Sequence, residues 1–493
     1  MTTFSTTIST LALSLLLGHI AVGGLPVDTA ASGAPRLPSF SLAAFLPGDS
    51  APPPAQKAAD PPPPPRPIRK RPLLAAAEVA GINLGVWAFL HYVGGAFYSY
   101  ISWETIRDNF RDGFEWDRSR YFVNFYHHPY HGYLYFSAGR ANGLNYWGSA
   151  LATLGGSLMW EVVMEKYRPS INDLVTTTAG GCVYGEIGYR FSALVRKKDA
   201  RGLGRIWREA VGTILDPIGG VNRLLNGRKD SDPGLPGSPD AGRILNGEVV
   251  LTGPVVTRSA ELAGTRAAPL VGFTLNYGDP AGTGWSGHPF DVFSVKGRLR
   301  WGPDRPHLSL FIHGALFGKK LASRGGTSHF LGLYQHYEYY GLDTLRVCGT
   351  SFTGGWSSRF KFSPDVALTA SARLGWLGLG SSDDFYADPG GDRRSYNFGT
   401  GLTSAAEVAI AAKGYEYFSV IWRHYGLYAL AVSGGRAGRE SWDILQGQVN
   451  VPVWEKLGVG FVVEYCGRRF DFKDYPPGSR RLVEARAFVS CQF

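Results

Sequence analysis

The last twelve residues of the chain, Leu482 to Phe493, alternate in character and end on an aromatic side chain. Apolar residues occupy every second position, namely Val483, Ala485, Ala487, Val489, Cys491 and Phe493. Polar residues dominate the other positions, with Phe488 as the exception. Because a strand points successive side chains to opposite faces, this segment has one apolar and one polar surface. That pattern is typical of a transmembrane barrel strand, whose apolar face meets lipid and whose polar face lines the lumen.

The same two-residue period recurs between Leu245 and Phe493, in segments of about ten residues that are separated by turn clusters. It predicts an antiparallel transmembrane β-barrel of about twelve strands. A soluble β-sandwich also alternates, but its buried face would not accept ionisable groups. The residues predicted to face inward are Lys296, Arg298, Arg300, His307, His313, Arg373, Glu407, Glu464 and Arg486. Charges of both signs on that face favour a filled interior over an open pore.

Both chain ends indicate the cell envelope. Met1 to Gly24 contains an apolar core followed by small residues, which predicts a signal peptide at 1–24, although no Lys or Arg precedes the core. Phe493 resembles the terminal signature by which bacterial outer-membrane barrels are recognised, so the outer-membrane assembly machinery is an expected partner. The expected location is the outer membrane of a Gram-negative cell. An inner-membrane helical protein with a soluble β domain is the alternative.

The charge balance bears on the expected partners. Lys and Arg number 50 against 40 Asp and Glu, a net charge of +10. The chain has no compact Arg and Lys stripe with interleaved aromatic residues, so nucleic acid is not expected as a partner. Outer-membrane lipid or lipopolysaccharide, both anionic, fits the surplus better. The four cysteines lack metal-ligand spacing, and Cys466 and Cys491 in the last two predicted strands either pair or remain isolated apolar residues.

The N-terminal half divides into three regions. Residues 25–72 are rich in Pro and Ala and predict an extended tether. Residues 73–227 have a helical pattern, and 228–243 form a linker rich in Gly, Pro and Asp before the barrel at 244–493. The predicted class is therefore an α+β membrane protein with an N-terminal helical module, which lies in the periplasm or plugs the barrel lumen.

Within the helical region, Val79 to Trp103 has no charged residue. It contains more polar residues than a membrane span usually has, so we predict a buried or interfacial helix. Further helices are expected over Ala141–Lys166, from Ser170 onward, and over the amphipathic segment Leu203–Ile214. Ser170 to Asp173 has the form of a capping box. Glu186, four residues before Arg190, predicts a helical ion pair, and Gly180-Gly181 predicts close helix packing.

Four strings in this region agree in order with one family. They are HPYHG at 128–132, GSLMWE at 156–161 with Glu165, PSINDL at 169–174 and GGCVYGE at 180–186. Over about residues 80–227 the chain resembles an uncharacterised bacterial domain-of-unknown-function family that is found joined to outer-membrane barrels. The resemblance implies location and architecture, and it supplies no catalytic residues.

The polar residues of these strings include a candidate metal or acid–base site. His128 and His131, expected in a loop, together with Glu161 and Glu165 form a nitrogen–oxygen ligand set for a divalent cation. Glu161 and Glu165 share a helix face at i and i+4, where like charges favour a shared cation, a shared proton or an arginine partner such as Arg140. In the simplest interpretation these groups satisfy one another between helices.

A different hypothesis makes His128 the base for Ser157 in acyl-ester hydrolysis. Three functions therefore remain open. The first is a structural or binding role in the envelope, the second a lipid-modifying or hydrolytic enzyme, and the third a narrow channel. No cofactor is required by the sequence, a divalent metal is a candidate, and the oligomeric state is left open.

Overall fold

A computed structural model of the chain describes residues 70–493, apart from positions 118, 197–199, 226–243, 254, 260–262, 267–268, 283–284, 302–305, 342–345, 385, 387–395 and 433–434. Lys70–Phe493 forms one compact unit. The predicted signal peptide, nearly all of the predicted tether and the predicted linker lie outside the described residues.

Seven α-helices lie in the described part of the N-terminal half. They are α1 (Pro72–Tyr92), α2 (Trp103–Asp112), α3 (His128–Ala141), α4 (Tyr146–Met159), α5 (Ile171–Val195), α6 (Gly202–Leu215) and α7 (Pro217–Leu225). A 3-10 turn occupies Phe97–Ser99, and π-helical segments occupy Val123–His127 and Trp160–Met164. The predicted helix over Ala141–Lys166 is thus shorter and ends in a π-helical segment.

The helical module is built around α3 and α5. A Cβ on Gly132 would lie 1.8 Å from the Thr177 carbonyl oxygen, and one on Gly181 would lie 2.5 Å from the Gly132 carbonyl carbon. Only glycine permits this approach, so the expectation of close packing at Gly180-Gly181 is confirmed. The expectation of a loop at 128–132 is wrong. Pro129 fits the first turn of a helix, and the following aromatic residues become buried, which stabilises α3.

In the described part of the C-terminal half, fourteen strands form one antiparallel sheet. They are β1 (Ile244–Thr252), β2 (Val255–Ser259), β3 (Ala263–Arg266), β4 (Leu270–Tyr277), β5 (Phe293–Trp301), β6 (Pro306–Arg324), β7 (Thr327–Gly341), β8 (Arg346–Lys361), β9 (Val366–Asp383), β10 (Tyr396–Ala412), β11 (Tyr415–Ala429), β12 (Gly438–Trp454), β13 (Leu457–Phe472) and β14 (Gly478–Gln492). Strand β1 pairs with β4, each later strand pairs with the next, and β14 pairs with β1. Twelve strands therefore close the ring, and the β2–β3 hairpin extends beside β14. The predicted helical module followed by a barrel of about twelve strands is confirmed.

The C-terminal residue takes part in closing the barrel. Glu248 of β1 lies opposite Gln492 of β14. Beyond that pair, the Phe493 N–H donates to the Gly247 carbonyl at 2.9 Å, and the Gly247 N–H donates to the Phe493 carbonyl at 2.8 Å. The aromatic end of the chain is thus part of the seam.

Ion pairs cross the barrel interior. Lys296 lies 2.9 Å from Glu407, Arg298 lies 2.6 Å from Glu464, and Arg300 lies 2.6 Å from Glu484. Each pair joins β5 to a distant strand. Buried apolar side chains fill the space beside them, including Phe311, Tyr340, Tyr425, Trp442 and Ile444. These side chains narrow the lumen, as the two-signed charge pattern favours, and a cavity of about 390 Å³ remains beside Lys296 and Glu407.

Cys466 and Cys491 do not form a disulfide, because they lie on opposite faces of the last two strands. Cys466 shares the inward face of β13 with Glu464, whereas Cys491 lies between the inward-facing Ser490 and Gln492 and points outward. In register, Cys491 lies opposite Leu457, at the far end of β13 from Cys466. All four thiols are free.

The helical module packs against the outside of the barrel. Tyr340 of β7 reaches across the lumen to Glu464, so Gln335 and Tyr337, of opposite parity on this strand, point outward. These two side chains contact the module, because the Gln335 amide donates to the Ala179 carbonyl at 3.0 Å and the Tyr337 hydroxyl donates to the Phe125 carbonyl. These contacts lie on the outer face of the wall, so they give no support to the expectation of a plug in the lumen. Side chains of the barrel itself occupy much of its interior.

Candidate functional site

Three side chains that can bind a metal ion converge beside the barrel wall. His128 begins α3, Glu161 lies in the π-helical segment after α4, and Asp173 lies in the first turn of α5. One potential ligand atom from each lies within 4.8 Å of the others. The structure thus brings together His128 and Glu161 as the sequence predicted, and adds Asp173, which the sequence marked only as part of a helix cap.

The Glu161 carboxylate has one satisfied and one unsatisfied oxygen. Its side chain is 2% exposed, and Oε2 accepts the Ser170 N–H at 2.9 Å. Oε1 has no hydrogen-bond partner among the described residues. In a capping box the third helical residue accepts the N-cap N–H, and here Glu161 takes that role from another segment. Half of the predicted box is present, because Ser170 Oγ accepts the Asp173 N–H at 3.2 Å.

The imidazole of His128 lies between a hydroxyl and a carboxylate. Its Nδ1 lies 3.2 Å from Thr177 Oγ1, and its Nε2 lies 3.5 Å from Asp173 Oδ1. With the proton on Nδ1 directed to Thr177, Nε2 keeps its lone pair toward the carboxylates, as a metal ligand requires. The buried Ser157 Oγ has no hydrogen-bond partner among the described residues, so the structure does not pair it with His128. The acyl-ester hypothesis gains no support.

The other two predicted residues flank this cluster. His131 Nε2 lies 2.9 Å from the Tyr135 hydroxyl, and the His131 ring packs edge-to-face on Trp160. Glu165 Oε1 accepts the Trp160 indole N–H at 2.6 Å. Both side chains therefore have partners within the protein. They border the site, but neither contributes one of the three converging ligand atoms.

Arg140 does not neutralise the two glutamates. Its guanidinium lies 3.1 Å from Glu186, so the proposed pair with Glu161 or Glu165 is wrong. Glu186 also pairs with Arg190 at 2.8 Å, which confirms the predicted i, i+4 ion pair. In the described part of the chain, no Arg or Lys forms an ion pair with Glu161 or Glu165. A shared cation and a shared proton remain as ways to reduce the repulsion between them.

Burial sets the electrostatics of the cluster. It raises the pKa of Glu161 well above its ordinary value, and the neighbouring Asp173 and Glu165 carboxylates act in the same direction. Burial also raises the pKa of Glu165 to about 7. It lowers the pKa of His128, against the opposing effect of Glu165, and lowers that of His131 to about 3. The imidazoles are therefore neutral near pH 7, and the acids lack a cationic partner.

Asn124 connects the site to the barrel wall. With its amide nitrogen turned toward the carboxylates, it donates to Asp117 at 3.2 Å and to Asp173 at 3.0 Å, and its oxygen accepts from the Tyr396 hydroxyl at 2.6 Å. Tyr396 begins β10 on the outward face, and its ring packs edge-to-face on Tyr121. Sequence reasoning missed Asp117, Asn124 and Thr177 as neighbours of the site. Asn124 directly precedes the aromatic string before HPYHG, the one signal that pointed to it.

Comparison with known proteins adds a family match. Residues 113–218, which include all three converging side chains, match the family described as a domain of unknown function (DUF3943). The match covers less than half of the chain and lies within the region of the resemblance. A comparison with curated proteins finds no match.

Among solved structures, the chain is similar to the NanC porin at 10% identity, covering 49% of this chain and 98% of that chain with a TM-score of 0.23. It is also similar to the KdgM porin in complex with disordered oligogalacturonate, at 8% identity, 50% and 99% coverage, and a TM-score of 0.21. A third is the outer-membrane channel DcaP of Acinetobacter baumannii, at 10% identity, 50% and 95% coverage, and a TM-score of 0.19.

Proposed function

We propose that this protein is an outer-membrane β-barrel that holds its helical module against the outer wall, where barrel and module together bind envelope lipid. One observation carries the proposal, namely that exposed apolar side chains cover both parts and meet where the Trp147 ring of α4 stacks on Phe317 of β6. Soluble proteins rarely expose continuous apolar surfaces of this extent, whereas lipid contact makes them favourable.

On the uncovered part of the wall, large apolar side chains point outward. Leu374 is 64% exposed and Leu402 is 62% exposed, and other exposed members of this surface are Leu251, Trp376, Val449, Val451, Phe461 and Val489. Full removal of such a side chain from water is worth about 1.5–3 kcal/mol, so the surface favours hydrocarbon strongly. On the same strands Arg373, Glu407 and Glu464 point into the lumen, as a transmembrane barrel requires. An outward ion pair between His424 and Asp443 lies nearer the β11–β12 connection.

The module presents a similar surface. Helix α4 exposes Leu151, Leu154 and Leu158, and α6 exposes Leu203, Ile206 and Trp207. Helix α1 is long and apolar enough to cross a membrane by length and composition, and 17% of its most apolar window is buried. These helices therefore leave much of their apolar surface to an external partner, and acyl chains are chemically suited to it.

The two ends of the barrel differ, which supports an orientation. Two-residue turns at Gly325-Gly326, Lys413-Gly414 and Glu455-Lys456 lie at the end where Phe493 pairs with Gly247. Outer-membrane barrels place short turns in the periplasm. Helix α5 follows the wall from Asp291, at the short-turn end, toward Tyr396, at the opposite end. Its 25 residues correspond to about 37 Å, close to the thickness of a bilayer.

Fractionation and lipid labelling test this proposal. We expect the full-length protein in the outer-membrane fraction, with a gel mobility that changes on heating. A photoactivatable phospholipid should label peptides that contain Leu374 on the wall and Leu151 on the module, and should spare the inward-facing Trp442. Recovery in the inner membrane would contradict the location. Labelling of the wall without the module would contradict shared lipid binding.

A second candidate function is a lipid-modifying or hydrolytic enzyme. A groove of about 380 Å³ opens beside the polar cluster, and it is lined mainly by apolar residues that include Phe110, Phe114, Leu158, Met159 and Val162. Val162 directly follows Glu161, so the groove borders the segment that carries this glutamate, although none of the three converging residues lines it. The test compares the lipids of cells that express wild type or Glu161→Gln, by mass spectrometry. Identical lipid profiles with and without the wild-type protein would reject the enzyme.

A further inference from the structure

We propose that His128, Glu161 and Asp173 form a binding site for a divalent first-row metal ion such as Zn²⁺. The three residues come from α3, the π-helical segment after α4 and α5, so a bound ion would connect three separate parts of the module. This site does not depend on lipid binding, and its test is independent of the membrane.

The spacing of the ligand atoms suits an ion after small side-chain movements. The three atoms lie within 4.8 Å of one another. A tetrahedral ion with bonds of about 2.0–2.2 Å holds its ligand atoms roughly 3.5 Å apart. Rotations that move each atom by about 1 Å would therefore close the site. The three side chains belong to packed helical segments, which limits the entropy lost on binding.

The unsatisfied oxygen of Glu161 points to a missing positive partner. A buried carboxylate oxygen without a hydrogen bond costs free energy, and native proteins seldom leave one so. Oε1 of Glu161 is such an atom, and the same carboxylate belongs to the converging set. Among the described residues no Arg or Lys pairs with it. A cation would satisfy this oxygen and reduce the repulsion with Asp173 at the same time.

The donor set indicates the class of ion. One imidazole nitrogen with two carboxylates suits Zn²⁺ or Mn²⁺, whereas Ca²⁺ takes six to eight oxygen ligands. The surrounding groups resemble those that orient metal ligands elsewhere. With the His128 Nδ1 proton toward Thr177 and the Asn124 amide nitrogen toward Asp173, both ligands are held by neighbouring groups. These contacts hold His128 Nε2 and Asp173 in the orientation that an ion needs.

Metal analysis of untagged, full-length protein in detergent tests the proposal. The protein is treated with a chelator, dialysed against micromolar Zn²⁺ and measured by mass spectrometry of the metal. We expect about one Zn²⁺ per chain in wild type and at least a tenfold lower content in Glu161→Gln and Asp173→Asn. The matched control is Glu115→Gln, which removes a half-exposed carboxylate of the same module and should keep the metal.

Heat-modifiable mobility shows in each case whether the barrel is folded. Folded wild type without Zn²⁺ at these concentrations overturns the proposal, and so does an equal loss of metal in Glu115→Gln. Should the carboxylate variants fail to fold, Co²⁺ in wild type provides a second measurement. Visible absorption typical of a four-coordinate site, altered in His128→Gln, supports the assignment, and the absorption of hydrated Co²⁺ alone overturns it.

Discussion

The guanidinium of Arg190 in α5 lies 3.2 Å from the carboxylate of Asp291, in the connection between β4 and β5. The two side chains are 1% and 0% exposed. Arg190 also donates to the Pro289 carbonyl at 2.8 Å and pairs with Glu186 at the same distance. A buried network of charge thus crosses the contact between the helical module and the barrel wall.

Removing the centre of this network should release the module. Arg190→Met leaves the buried Asp291 without its cation, and breaking a buried ion pair costs about 3–5 kcal/mol. We expect faster proteolysis of the helical module while the barrel keeps its heat-modifiable mobility. Arg168→Met, which removes a half-exposed pair with Glu115, is the control and should leave proteolysis unchanged. Equal resistance of Arg190→Met and wild type would show that the network does not hold the module.

Close packing between α3 and α5 gives a second prediction. A Cβ at Gly132 would collide with the Thr177 carbonyl, so Gly132→Ala must push the helices apart at a cost of about 1–3 kcal/mol. A Cβ at Gly155 in α4 would meet nothing within 4 Å, and Gly155→Ala should stabilise the helix by up to about 1 kcal/mol. Urea unfolding, followed by the helical signal, measures the stability of both variants. Similar midpoints for the two variants would contradict the packing.

A charge on the outer wall should impair insertion. Leu374 of β9 points outward and is exposed, and a lysine facing the middle of the bilayer costs about 2–4 kcal/mol. Leu374→Lys should therefore lower the folded fraction on refolding into lipid vesicles, measured by heat-modifiable mobility. Thr369→Lys lies on the same strand but lines the lumen cavity, and it should refold like wild type. If both variants refold equally well, the assignment of the outward face to lipid fails.

The ion pairs and packed side chains inside the lumen predict a closed barrel. Wild type should give no steady conductance steps in planar bilayers, because Arg298 and Glu464 meet across the interior. The double variant Arg298→Ala with Glu464→Ala removes both charges together and should increase ion leakage. The outward-facing Leu402→Ala serves as the control and should stay closed. Regular conductance steps in wild type would restore the channel hypothesis.

Local patterns predicted much of this fold. The two-residue period predicted which side chains of β5, β9 and β14 face the lumen, because the backbone of a strand determines the alternation. Ser170 predicted the start of α5, and the i, i+4 spacing predicted the pair between Glu186 and Arg190. Each of these features depends on residues that are near one another along the chain.

Tertiary contacts decided the rest. His128 lies in a helix instead of a loop because its aromatic neighbours are buried between α5 and the wall, a contact that no local pattern contains. Asp173 lies in the polar cluster because Glu161, from another segment, accepts the Ser170 N–H at the start of α5. Arg140 pairs with Glu186 and not with Glu161 or Glu165. The sequence alone determined the barrel and its two faces, since strand periodicity is local. Only the folded chain placed the module on the outer wall, since that choice depends on contacts such as Asn124 with Tyr396, far apart in sequence.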